Sequence, residues 1–106
     1  MKIGIVLASN DAETAWNAMR YACFAQEKDG GVRVFLLGRG VEAEGIDTER
    51  FRVSEELHRF AGLGGKIFSC GTCLKSRQME ASAICPVSTL TDLHKIVSES
   101  DRILTF

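Results

Sequence analysis

Ile3-Gly4-Ile5-Val6-Leu7 is apolar throughout, with no polar residue at alternate positions to face water. A strand of that kind has both faces covered, as inside a parallel sheet sandwiched between helices, and not as in a one-sided antiparallel sheet. The chain then repeats the constraint. Val32-Arg33-Val34-Phe35-Leu36-Leu37 is a second apolar, β-branched run and Lys66-Ile67-Phe68-Ser69 a third. Ala83-Ile84-Cys85 is a weak fourth that stops near Pro86, whose missing N–H limits pairing, and Arg102-Ile103-Leu104-Thr105-Phe106 closes the chain as a fifth.

Between these runs the period becomes helical. From Ala12 to about Lys28, Ala15, Trp16, Met19, Ala22 and Cys23 share one stripe, Asn10 and Glu13 have capping-box spacing, and Asp29-Gly30-Gly31 is the stop. Ser54 is placed to cap a helix buried through Leu57, Phe60 and Ala61, with Glu55 and Glu56 in the first turn, where negative charge is favourable. A short helix covers roughly Leu74 to Met79, and Thr89 with Asp92 caps a last one whose apolar face is Leu90, Leu93, Ile96 and Val97. Val41 to Arg52 mixes acidic residues and Gly45 with isolated apolar positions and reads as a connecting loop. This alternation predicts one parallel sheet with helices on both faces, in a single domain over residues 1–106. A chain of that length supports one hydrophobic core but not two.

In such a sheet the carboxyl ends of the strands share one rim, here with the loops after residues 8, 38, 70 and 86, and that rim is where sites form. Cys70-Gly71-Thr72-Cys73 lies on it. Two thiols at a strand-to-helix turn predict thiol chemistry, since helix-start N–H groups and nearby cations favour the thiolate. Lys75 and Arg77 are the cations, Arg77 one turn beyond Cys73. Cys70, outside the helix, is expected to be the more exposed nucleophile, and Cys73 to attack a mixed disulfide or persulfide on it. Gly71 permits close backbone approach and positive φ, and Thr72 presents a hydroxyl or N–H to a bound sulfur or anion.

Other chemistries fit less well. A formal net charge of -1 and a pI near 6.1 supply no basic field for nucleic acid or an anionic membrane. Met1 to Ala8 is too short for a signal peptide, and no apolar run approaches the ~20 residues that cross a bilayer, so the expected location is the cytoplasm. Thiols stay reduced there, so four cysteines read as chemistry or metal ligands before staples. Cys70, Cys73, Cys85 and His94 are a poor zinc set, because the second half is one cysteine and one histidine nine residues apart, and no metal is expected. His58 and His94 read as surface residues, and Cys23 as packed core. Cys85, near the end of the fourth run, is a candidate third thiol. Gly38-x-Gly40 lacks the third glycine and immediate helix of a dinucleotide loop, and Gly62-x-Gly64-Gly65 precedes a strand, so no nucleotide cofactor is expected. Neither histidine lies near a plausible rim loop, which leaves no Ser/His/Asp arrangement.

Several segments together carry a family resemblance: the opening strand with Asn10-Asp11-Ala12-Glu13-Thr14, the helix Ala15 to Ala22, Val34-Phe35-Leu36-Leu37-Gly38-Arg39-Gly40-Val41, and Gly64-Gly65-Lys66-Ile67 leading into Cys70 to Arg77. Over nearly all of its length the chain resembles the DsrE/DsrF-like family of small sulfur-relay proteins, particularly compact members with a Cys-Gly-x-Cys turn. The resemblance implies a three-layer α/β/α fold with a five-stranded parallel sheet, and assembly into trimers or hexamers. It also implies that the cysteine matching Cys70 carries sulfur as a persulfide between donor and acceptor proteins. The chain departs from those relatives in having Cys73, where they often lack a second cysteine, and Gln78, where a glycine often follows the arginine. The expected function is therefore a sulfur carrier, with stabilisation of the anion by Gly71, Thr72 and Arg77. The alternatives are a Cys70/Cys73 redox-switched regulatory or interaction module that carries no sulfur, and a structural trimer with inert thiols.

Overall fold

The computed structural model describes residues 1–106. Five strands form one sheet in the order β4-β3-β2-β1-β5. They are β1 (Ile3–Leu7), β2 (Arg33–Leu36), β3 (Lys66–Cys70), β4 (Val87–Ser88) and β5 (Arg102–Thr105). Every pairing is parallel. Helices α1 (Ala12–Asp29), α2 (Val53–Gly62), α3 (Gly71–Ser76) and α4 (Leu90–Glu99) make the crossovers, and a 3-10 helix occupies Gly38–Gly45.

The order explains the layers. β1 to β4 step across the sheet in one direction, so right-handed crossovers put α1, α2 and α3 on one face. The return from β4 to β5 runs the other way and puts α4 on the opposite face, where a Cβ on Gly4 would lie 2.6 Å from Ile96 Cγ2. The three-layer α/β/α arrangement with a five-stranded parallel sheet is thus observed. Ile5 and Val34 share a register position facing α1 and α2, as do Leu7 and Leu36, and all four are buried.

Several local expectations are corrected. Asp11, not Asn10, caps α1, its carboxylate accepting the Thr14 N–H at 3.0 Å. Ser54 lies inside α2 instead of capping it and is held by Asp47, to whose carboxylate its N–H and hydroxyl both donate. Thr89 does cap α4, whereas Asp92 bonds the Ser88 hydroxyl instead of completing a box. The fourth strand is Val87–Ser88, beyond Pro86, and Ala83-Ile84-Cys85 is irregular. Only Ser69 and Cys70 have partners on that edge, so the rim loop there begins after residue 88, not 86. The apolar stripe of α4 is only partly covered: Ile96 is buried and Leu93 half-buried, but Leu90 is 64% and Val97 51% exposed. A single helix on a sheet face buries one side of itself, and these two residues point the other way.

Candidate functional site

β3 runs one residue further than its apolar pattern suggests, because Cys70 pairs with Ser88. Cys70 is therefore both the last sheet residue and the residue at the N-cap position of α3, and it is only 4% exposed. Cys73, in the first turn of α3, is half-exposed. This reverses the expectation that Cys70 would be the more accessible sulfur; the extra ladder pair keeps it within the layers. Neither cysteine is in a disulfide.

The two cysteines lie close enough for each thiol to bear on the other's ionisation, and Cys73 Sγ accepts the Gly38 N–H at 3.2 Å. That donor comes from the end of β2, where Gly38 has φ +56, a conformation that L side chains seldom adopt. The 3-10 helix reaches this position because Gly40 packs directly on the end of β1: a Cβ there would stand 1.9 Å from the Leu7 carbonyl oxygen. Three strand ends thus meet around the sulfur pair.

The electrostatics differ from the simple positive pocket. Burial raises the Cys73 thiol above its ordinary range and the neighbouring Cys70 thiol adds to this, while the Gly38 N–H and the Arg77 charge pull the other way. The depressed pKa expected of a helix-start thiol is not found at Cys73, because burial outweighs the Gly38 N–H and Arg77. Arg77 is also not free. Its Nε donates to Glu42 Oε2 at 2.7 Å, and another guanidinium nitrogen donates to the Cys73 carbonyl at 3.1 Å. The Arg77 hydrogen bond holds the Glu42 carboxyl below its usual range, and Asn10 adds a second bond to the other oxygen at 3.3 Å.

The remaining candidates fall out as follows. Gly71 is helical and not at positive φ; a Cβ there would come within 3.1 Å of Ser88 O and Val87 Cγ2, so its smallness serves the close approach of α3 to β4. Thr72 is exposed. Cys85 precedes β4, is buried, and donates its backbone N–H to Ser82 Oγ, which in turn bonds Glu44. Burial and the Glu44 carboxylate push its thiol up to about 12, and the groups that shift it are Glu44 and Ser82, not the sulfur pair. Cys23 is fully buried in the core, and burial and Glu56 push its thiol up to about 11. No three His, Cys, Asp or Glu side chains converge as metal ligands, and His94 is exposed.

Glu42 and Glu44 were invisible as site residues in the sequence. Their stretch reads as loop, yet both carboxylates grip the segment that follows Cys70: Glu42 at Arg77, Glu44 at Ser82. The one local signal is Gly38-Arg39-Gly40 after a strand, which marks a tight turn on the rim but not the partners across it.

A three-layer α/β/α domain with two free cysteines at the carboxyl rim of its parallel sheet defines a small α/β thiol protein. The chain belongs to the DsrE/DsrF-like family, whose model matches residues 1–106. It is 31% identical over 114 residues to the protein titled uncharacterized protein MJ0989 of Methanocaldococcus jannaschii, with all of both chains covered. Among solved structures it resembles the ychN protein from E. coli, with a TM-score of 0.86, 25% identity, and coverage of 100% of this chain and 99% of that one. It also has the fold of BT1422 from Bacteroides thetaiotaomicron, a conserved protein of unknown function, at a TM-score of 0.79, 19% identity, and coverage of 99% and 94%. The family supports a sulfur-relay type of role with partner proteins. No helix is long and apolar enough to cross a membrane.

Proposed function

We propose that this protein is a sulfur carrier in which Cys70 holds sulfane sulfur as a persulfide and passes it to a partner thiol. The observation that carries the reading is the pair of free cysteines at one strand-to-helix turn on the carboxyl rim, with the Gly38 N–H donating to Cys73 Sγ at 3.2 Å. In loading, the Cys70 thiolate attacks the outer sulfur of a donor persulfide, a new S–S bond forms, and the donor leaves as a thiolate. In unloading, an acceptor thiolate attacks that outer sulfur and Cys70 is the leaving thiolate, so neither step needs an external oxidant or reductant. Cys73, the more exposed sulfur, stands beside the cargo. Arg77 and the Gly38 N–H favour negative charge there, and the exposed Thr72 presents its hydroxyl to an approaching partner.

The protein acts with donor and acceptor proteins in the cytoplasm, as a single domain and without cofactor, metal or nucleic acid. It assembles as a trimer or hexamer, a reading supported by the exposed Leu90 and Val97 on α4.

Incubation with a small-molecule persulfide, followed by mass spectrometry under non-reducing conditions, tests the assignment. Wild type and Cys73→Ser gain one sulfur atom, and Cys70→Ser does not. Full loading of Cys70→Ser refutes the role of Cys70. The second reading, a redox switch, is favoured by the same pair of free cysteines, with two residues between them in one turn. It predicts loss of two hydrogens from the Cys70–Cys73 peptide on mild oxidation, altered partner binding, and no sulfur gain.

A further inference from the structure

We infer that Glu42 is a positioning residue for the sulfur pair: its carboxylate holds Arg77 against the Cys73 carbonyl and offsets the positive charge that the guanidinium presents to the sulfurs. The inference deepens the sulfur-carrier reading and rests on it for its consequence. Glu42 sits on the 3-10 helix, 35 positions before Arg77, yet its Oε2 takes Arg77 Nε at 2.7 Å in a half-buried pair. Pairing through Nε leaves the far end of the guanidinium to reach back along α3 to the Cys73 carbonyl and the Ser76 hydroxyl. Asn10 fixes the other carboxylate oxygen from the loop after β1. Glu42 therefore joins the β1 loop, the 3-10 helix and the cysteine turn through one carboxylate.

The groups that bear on Cys73 come from each surrounding element. Burial and, after it, Cys70 at the end of β3 raise its thiol, and the Gly38 N–H and Arg77 lower it. Arg39, beside Glu42, is the remaining cation of the cluster. Glu42 is the acid that meets Arg77 directly, so the net charge facing the sulfurs depends on its state. A donor or acceptor that presented its own cation to Glu42 would release Arg77 toward the sulfur and promote thiolate formation on docking.

The test is the pH dependence of iodoacetamide alkylation at Cys73 in a Cys70→Ser background, for the wild-type pair and for Glu42→Gln, Arg77→Gln and the double variant. Glutamine keeps an acceptor for Arg77 Nε and a group for Asn10 while removing the charge. Glu42→Gln is expected to lower the apparent pKa of Cys73 by about half a unit, roughly a threefold rise in thiolate below that pKa. Arg77→Gln is expected to raise it by a similar amount, and the double variant to fall near the starting protein. An unchanged or raised value in Glu42→Gln overturns the inference, as does a lowered melting temperature with no titration shift, which marks a structural role alone. If Glu42→Gln does not fold, Arg77→Gln decides: no rise in apparent pKa overturns the inference. Persulfide loading is measured separately on protein with Cys70 intact, so a failure to load removes the sulfur-carrier reading and leaves the titration standing.

Discussion

Gly40→Ala should be among the most damaging single-methyl additions to this fold, because the obstacle it meets is backbone. Gly40 is not at positive φ, so alanine is conformationally acceptable and the effect is purely one of space. The added Cβ would stand 1.9 Å from Leu7 O and 2.7 Å from Leu7 C. No side-chain rotation relieves that contact; either the 3-10 helix lifts or β1 moves. Leu7 O already accepts the Leu37 N–H at 2.9 Å, and Gly40 N–H closes the turn onto Leu37 O at 2.9 Å. Overpacking costs about 1–3 kcal/mol, and each disturbed hydrogen bond about 1 kcal/mol more. A total near ~3 kcal/mol corresponds to a fall in melting temperature of about 12–24 °C for a domain of this size. Differential scanning calorimetry reads this directly, with Gly45→Ala as the control, since no atom lies within 4 Å of a Cβ there. Gly45→Ala should stay within about 1 kcal/mol of wild type. A Gly40→Ala protein that melts within about 3 °C of wild type would show that the turn has room to spare. The reasoning about how Gly38 is delivered to Cys73 would then fall with it.

Two further outcomes follow from local features. Cys85 has its thiol raised from 9.0 to about 12, so the stability linked to its neutral form is complete below pH 9 and is lost as pH rises toward 12. Urea unfolding between those limits should show a decline that Cys85→Ala flattens; an equal decline in both proteins would refute the assignment. Gln78 is the one non-glycine residue at positive φ, 53°. Gln78→Gly should therefore raise stability by about 0.5–1 kcal/mol, measured by the urea midpoint, and a loss of stability would contradict the strain argument.

That left-handed Gln78 gives physical content to one departure noted in the sequence: the family resemblance leads one to expect a glycine there, where the chain must turn at the end of α3. The parallel sheet was legible because its strands are continuous apolar runs, and continuous burial leaves a plain signature. β4 was misplaced because two residues carry almost no pattern, while Ala83-Ile84-Cys85 is an apolar run in which only Cys85 is buried. The cysteine pair and its rim were also legible, but its accessibility was not. Whether Cys70 is the last residue of a strand or the first of a turn depends on Ser88 across the ladder. The Glu42–Arg77 and Glu44–Ser82 contacts span 35 and 38 positions, and no local period encodes them.

The burial of Cys70 behind a more exposed Cys73 has a consequence for selectivity. In the proposed carrier, small thiols diffusing in solution would meet Cys73 first, so a cargo bonded to Cys70 would be scavenged more slowly than one on the exposed sulfur. A partner shaped to the rim formed by the Gly38 turn, α3 and the Ser88 edge would reach it faster than they do. Discrimination between acceptors then resides in who can approach, and not in the intrinsic reactivity of the sulfur.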